Sequence, residues 1–177
     1  MKKIIAFGAS SSINSINKKL AIYAANQISN SKVIALDLND FEMPIYSEDR
    51  DRINGIPKKA YEFKKIIKKT DGIIISFAEH NGAYTSAFKN IFDWISRIEK
   101  IVWYNKPMFL MATSDGPRGA KLVLEIAHRR ISRGNPFNIP TFSLPSFHDN
   151  FNNKKGIINL DLKETFFQEL SSFERNL

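Results

Sequence analysis

Short apolar runs alternate with amphipathic segments along the whole chain, and this alternation limits the possible folds more than any other feature. The apolar runs, each long enough for a buried strand, cover residues 3–7, 33–38, 73–77, 108–113 and 137–144. Helical spacing marks approximately residues 15–29, 57–69, 84–98, 122–131 and 162–173. Since parallel strands need long crossover connections, this order predicts a parallel sheet with helices on both faces. We therefore expect one α/β domain over residues 1–177, with a three-layer, doubly wound, five-stranded sheet.

The 177-residue chain has a formal net charge of +8 and no cysteine. Without cysteine there is no disulfide, thiolate metal site or cysteine nucleophile, and we expect a cytoplasmic protein. No apolar run reaches the roughly 18 residues of a membrane span, so we expect no membrane partner. A basic surface attracts anions such as phosphorylated cofactors. The lysine cluster over residues 58–69 has helical spacing. We interpret it as a solvated helix face, and expect no nucleic-acid partner.

Ligands of doubly wound sheets bind beyond the carboxyl ends of the strands, where this chain has three unusual loops. The first loop, residues 8–17, is rich in serine and asparagine and precedes the first predicted helix. Hydroxyls and free N–H groups at a helix N-terminus suit a phosphate. The loop lacks the glycine pattern of dinucleotide-binding folds and the ending of a P-loop, which disfavours both classes. Helix capping by Ser15 or Asn14 is the alternative explanation.

The second loop, residues 78–86, places the turn-forming pair Asn81-Gly82 between a strand and a helix. Its backbone polar groups suit the polar edge of a planar ring. His80 is a candidate proton donor, a stacking wall for a ring, or simply a polar loop residue. Glu79 is a candidate ligand contact or a solvent-facing carboxylate.

The third loop, residues 113–120, contains two glycines, which permit either close approach of the backbone to a ligand or a tight turn. Arg118 lies near the start of the fourth predicted helix, where a cation is unfavourable to the helix dipole. This position suggests an anionic partner for Arg118, either Asp115 or a nucleotide phosphate.

Taken together and in this order, the three loops resemble those of the NAD(P)H-dependent FMN reductases. The matching residues are Gly8, Ser15 and Asn17 in the first loop, Glu79, Asn81, Gly82, Lys89, Asn90, Asp93 and Trp94 in the second loop and its tail, and Ser114, Gly116 and Gly119 in the third. Residues 43–46 also resemble the element that follows the second strand in this family. The arginine of the family's first loop is absent, with Ser11 near its position, and Ala78 and His80 replace a proline and a tyrosine.

The resemblance implies a flavodoxin-like fold with strand order 2-1-3-4-5, and a homodimer or homotetramer. It implies FMN as cofactor, NADPH or NADH as co-substrate, and a flavin, quinone or azo compound as small-molecule acceptor, without a designated catalytic acid or base. The implied cofactor-binding residues are Ser10, Ser15, Ile16, Asn17, Glu79, His80, Asn81, Gly82, Tyr84, Ser114, Gly116 and Gly119. Trp94, Trp103 and Tyr104 suit either a dimer contact or the core.

Two alternatives remain from the sequence. A one-electron carrier of flavodoxin type is disfavoured by the charge of +8, because such carriers are usually acidic. A flavin- or nucleotide-binding module without catalytic activity is the other.

Overall fold

Five parallel strands form the central sheet in the computed structural model, which describes residues 1–177. The strands are β1 (Lys2–Ala9), β2 (Ser31–Ala35), β3 (Gly72–Phe77), β4 (Met108–Thr113) and β5 (Thr141–Leu144). They lie in the order β2-β1-β3-β4-β5, which confirms the predicted order. Every residue of β3 and β4 is buried, as expected for central strands of a sheet that is covered on both faces.

Helices cover both faces of the sheet. They are α1 (Ile16–Asn26), α2 (Glu48–Asn54), α3 (Lys58–Lys68), α4 (Ser86–Ile98), α5 (Lys121–Ile131), α6 (Phe147–Asn150) and α7 (Leu160–Glu174). Buried residues of α3, α4 and α5 form one hydrophobic cluster, and those of α1 and α7 form the other. Ile5 and Phe7 of β1 belong to the first cluster, and Ile4 and Ala6 to the second, as the alternation of side chains along a strand requires. The predicted three-layer architecture is confirmed. No helix is both long enough and apolar enough to cross a bilayer.

Two predicted strand boundaries differ from the structure by three residues or more. β5 begins at Thr141 instead of residue 137, because Pro140 has no N–H for the ladder; its carbonyl accepts from Leu110 N at 3.1 Å. β2 ends at Ala35, since Asp37 caps a 3₁₀ turn, Leu38–Phe41, by accepting from Asn39 N at 2.9 Å.

Two further segments differ from the prediction. Helix α2 has no buried residue and therefore leaves no apolar period in the sequence. Residues 149–156, predicted as an exposed loop, instead contain the end of α6 and part of a hairpin that pairs Phe151–Asn152 with Gly156–Ile157.

Lys64 departs from the predicted solvated face of α3, because its side chain is only 3% exposed. Its ammonium group donates to the carbonyl of Val102 at 2.7 Å and lies 3.8 Å from the centroid of the Tyr104 ring. Burial lowers the pKa of Lys64, and the nearby Glu99 carboxylate, at 3.6 Å, opposes that shift. This lysine therefore fastens the loop after α4 onto α3.

Asn90 and Trp94 of α4 hold the segment 43–46 in place. The Asn90 side chain donates to Met43 O at 3.0 Å and accepts from Tyr46 N at 2.8 Å. The Trp94 indole donates to Pro44 O at 2.7 Å and is 1% exposed. Together with Trp103, which is 6% exposed, Trp94 belongs to the core and not to an exposed dimer contact.

Candidate functional site

The three loops meet at a cleft of about 520 Å³ beyond the carboxyl ends of β1, β3 and β4. Of the predicted residues, those that line this cleft are Ser10, Ser15, Ile16, Asn17, Glu79, His80 and Ser114. The predicted residues outside its lining are Asn81, Gly82, Tyr84, Gly116 and Gly119. The topology therefore brings one part of each loop to a common site.

The first loop offers hydrogen-bond donors around the N-terminus of α1. Ser15 caps the helix by accepting from Lys18 N at 3.1 Å, and Ser10 Oγ accepts from Ser12 N at 3.1 Å. Both hydroxyl protons remain available to a ligand. The backbone N–H groups of Ile16 and Asn17 have no acceptor within the chain, as is usual in a first helical turn. Capping and anion binding are thus compatible here.

The Asn17 side chain joins the first loop to two strands. Its Nδ2 donates to Thr113 O at 3.0 Å, and its Oδ1 accepts from Thr113 N at 3.0 Å and from Ser76 Oγ at 2.7 Å. Asn17 is 2% exposed. Because this amide is occupied by protein partners, Asn17 faces the cleft with its backbone N–H.

Lys19 supplies a cation that the sequence analysis missed. It lies one turn along α1 from Ile16, is exposed, and lines the cleft. Its neighbour Lys18 is instead bonded to Asp37 at 2.5 Å, and this hydrogen bond lowers the pKa of the Asp37 carboxyl group. Lys19 makes no ion pair, so its ammonium group is free to face an anion. Lys19 follows Ile16 by three residues, which places both on one helix face, and this spacing could have identified Lys19 from the sequence.

The second loop is a tight hairpin that pairs Glu79–His80 with Ala83–Tyr84. Asn81 and Gly82 occupy its turn with φ angles of 52° and 74°, which confirms the predicted turn. His80 is exposed at the cleft. Glu79 is half-buried, and its Oε2 accepts from Val123 N in the first turn of α5 at 3.1 Å. It is therefore a helix cap, and not a solvent-facing carboxylate.

Tyr84 points into the core from the same hairpin. Its ring packs between Phe77 and Phe88, with centroid distances of 5.9 and 5.1 Å. The hydroxyl is buried without a hydrogen-bond partner, and burial raises the pKa of Tyr84 to about 12. Tyr84 therefore supports the second loop from the core side and does not line the cleft.

The two glycines of the third loop differ in their surroundings. A Cβ on Gly119 would lie 2.4 Å from Ser143 Oγ and 2.9 Å from Pro145 N, and its φ is 58°. A Cβ on Gly116 would meet nothing within 4 Å. Close packing on β5 thus accounts for Gly119, whereas Gly116 borders open space.

A fourth segment reaches the rim of the cleft after β5. His148 of α6 lies with its Nε2 3.2 Å from Asp115 Oδ1, and both side chains line the cleft. Asp115 therefore pairs with His148, not with Arg118, which makes no ion pair in the structure. The sequence analysis missed His148, although its position just after the carboxyl end of β5 was a signal.

The cleft thus combines neutral donors and an ammonium group near the N-terminus of α1 with residues of the second and third loops. This arrangement suits a ligand that has a phosphate and a polar ring system.

The sequence profile described as NADPH-dependent FMN reductase matches residues 2–147. The chain is 28% identical to the quinone reductase of Escherichia coli strain K12 over 78 residues, 44% of this chain and 42% of that protein. The match therefore spans less than half of that relative. It is also 23% identical to the NAD(P)H-dependent FMN reductase of Pseudomonas aeruginosa over 144 residues, 80% of this chain and 77% of that protein.

Among solved structures, the flavoenzyme NAD(P)H:acceptor oxidoreductase FerB of Paracoccus denitrificans superposes with a TM-score of 0.74 at 20% identity, covering 99% of both chains. This likeness supports the fold, and the profile match covers all three loops of the cleft. The chain belongs to the NADPH-dependent FMN reductase family.

Proposed function

We propose that the cleft binds FMN and that the protein passes electrons from NADPH or NADH to a flavin, quinone or azo acceptor. The observation that carries this proposal is the meeting of the three loops at the N-terminus of α1. Family membership and the quinone reductase relative support it.

The phosphate of FMN would lie among the hydroxyls of Ser10 and Ser15 and the N–H groups of Ile16 and Asn17. These groups fit an anion because they are unused donors at the positive end of a helix dipole. Lys19 adds a full charge in place of the missing loop arginine. The donor set therefore suits FMN better than riboflavin, which lacks the phosphate.

The ring system would lie between the second and third loops, against Ser114 and the Glu79–His80 strand. Asn81, Gly82 and Gly116 would contribute from the rim, while Tyr84 and Gly119 hold the loops in shape. Bound FMN supplies the redox chemistry by accepting a hydride and releasing electrons. His80, which is exposed at the cleft, would donate a proton to a reduced acceptor.

The visible absorption spectrum of the purified protein, followed by NADPH addition, tests the proposal. We expect the protein to keep flavin absorption bands after FMN is added and the unbound excess is removed by desalting. NADPH should bleach these bands, and a quinone should restore them. Turnover without a partner protein contradicts the flavodoxin-type carrier. A protein that takes up FMN but is not reduced by NADPH supports the non-catalytic module or the carrier. Failure to retain FMN contradicts every flavin-binding alternative and leaves a nucleotide-binding module.

His80→Ala tests proton donation by the histidine. We expect quinone turnover to fall several-fold, with unchanged bleaching by NADPH, because the variant lacks the imidazole that would supply the proton. His128→Ala, on α5 and outside the lining of the cleft, is the matched control. Unchanged turnover of His80→Ala at every pH contradicts this role.

We further propose that residues 1–177 act as one domain in a cytoplasmic homodimer or homotetramer. Sedimentation velocity measures the assembly, and a single species at 20.3 kDa would contradict it. Cell fractionation tests the location.

A further inference from the structure

A second cavity, of about 550 Å³, adjoins the cleft along the same side of α1. Lys19 lines both cavities. Beyond Lys19, one wall follows Ile22, Tyr23 and Asn26, which are spaced three, four and seven residues along one helix face. The eleven residues of α1 span about 16 Å. The cleft and the cavity therefore meet at Lys19, and the cavity continues from there along the face of α1 towards its last turn.

The opposite wall is fixed in place by an aromatic contact. A Cβ on Gly156 would lie 2.2 Å from Tyr23 Cε2, and Gly156 has a φ of 72°, so only glycine suits this position. The Tyr23 ring meets Phe151 edge-on with centroids 5.4 Å apart. The hairpin of residues 151–157 is thereby held against α1, and it gives the cavity a formed wall.

The charge of this cavity is entirely positive. Lys19, Lys154, Lys155 and Lys163 line it, and no aspartate or glutamate does. None of these four lysines takes part in an ion pair within the chain. Like charges around one cavity are unfavourable without a counter-charge, and they attract a multiply charged anion. The lysines therefore favour an anionic ligand, and a phosphorylated one carries the multiple charge that they would neutralise.

Aromatic surface accompanies these lysines. Phe167 lines the cavity and is 36% exposed, although it is a large apolar ring. An exposed ring beside ammonium groups is the usual combination for a nucleotide, because the base stacks and the phosphate pairs. A small inorganic anion would leave this ring unused.

We propose that the cavity is a subsite for a nucleoside phosphate. Its occupant is either the adenylate half of FAD, with the flavin half in the cleft, or a free adenine nucleotide. Lys19 stands where the two cavities meet and faces the phosphates of both. Only the FAD source rests on the proposed function, because a free nucleotide needs no flavin in the cleft.

The test compares the binding of FMN, FAD and ADP by calorimetry. Lys154→Ala/Lys163→Ala removes two charges from the cavity and none from the cleft. We expect this variant to bind FAD or ADP at least tenfold more weakly, with FMN affinity unchanged within twofold. Lys59→Ala/Lys65→Ala, on the exposed face of α3, changes the net charge equally and should leave all three affinities unchanged.

Comparing the three ligands distinguishes FAD from a free nucleotide as occupant, and failure of the subsite from failure of the proposed function. Weakened FAD binding supports the extended flavin, and weakened ADP binding alone supports a free nucleotide. If neither binds the wild type more tightly than the cavity variant, the subsite is refuted. If FMN does not bind but ADP does, the proposed function fails while the subsite stands. Phe167→Ala, a single surface change, should weaken the same ligands and gives a second test should the lysine variant misfold.

Discussion

At the scale of single residues, one buried amide connects three parts of the cleft. Asn17 satisfies the N–H and C=O of Thr113 and the hydroxyl of Ser76. Asn17→Ala leaves these buried groups without partners, and each such group costs about 1–3 kcal/mol. We expect the free energy of unfolding to fall by about 3 kcal/mol in urea titrations. Ser12→Ala, at an exposed position of the same loop, should change it little; equal losses would contradict the role of Asn17.

Tyr84 makes the free energy of unfolding depend on pH in the alkaline range. Its pKa is raised to about 12 by burial, whereas an unfolded tyrosine ionises near pH 10. The folded state thus holds the proton of Tyr84 more tightly than the unfolded state does. The resulting contribution to the free energy of unfolding is complete below pH 10 and is lost as the pH rises towards 12. We expect Tyr84→Phe to reduce the fall in unfolding free energy over this range, measured by denaturation at several pH values.

Tyr84→Phe also removes a buried hydroxyl that has no partner. At neutral pH we therefore expect the variant to be as stable as the wild type or slightly more stable, by up to about 1 kcal/mol. Tyr61→Phe is the control, since Tyr61 is 50% exposed. A clearly less stable Tyr84→Phe at neutral pH would show that the hydroxyl has a partner.

At the scale of elements, the third loop is shaped by its contact with β5. Gly119→Ala places a Cβ against Ser143 Oγ and the Pro145 backbone at a left-handed φ, and we expect a loss of about 2–4 kcal/mol. Gly116→Ala meets open space and should change stability by less than about 0.5 kcal/mol. Thermal unfolding followed by circular dichroism compares the pair, and similar melting temperatures would contradict this assignment.

Helix α5 receives its cap from a distant element. Its own N-cap position is Ala120, which provides no side-chain hydrogen bond, and its first turn contains no acidic residue. Glu79→Ala removes both the bond to Val123 N and a negative charge at the helix N-terminus, and should cost about 1–2 kcal/mol. Glu79→Gln should retain part of this stabilisation, measured by urea titration, because its amide oxygen can still accept the hydrogen bond from Val123 N.

These contacts explain which parts were predictable. Strand and helix periods, together with the Asn81-Gly82 turn, are local patterns, and they led to the strand order and the three loops. The bond from Glu79 to Val123, the pair Asp115–His148 and the engagement of Asn17 join residues far apart in sequence. Such contacts depend on the tertiary packing, which leaves no spacing signal in a single sequence. Helix α2 was missed for another reason: it buries nothing.

At the scale of the whole molecule, ligand binding should raise the melting temperature. A ligand at 100 times its Kd adds about 2.7 kcal/mol to the free energy of unfolding. For a domain of this size, that corresponds to about 5–11 °C. We expect such a shift with FMN in differential scanning fluorimetry, and a smaller one with riboflavin at the same concentration. Equal shifts would show that the donors around α1 do not bind the phosphate.

The Asn17 network also bears on the speed of ligand capture. Because it fixes the ends of β3 and β4 relative to α1 in the free protein, these walls need no reordering during an encounter. Capture should then be governed by diffusion and by long-range attraction between the +8 chain and an anion. Stopped-flow association rates for FMN should therefore fall steeply as ionic strength rises, while dissociation changes little.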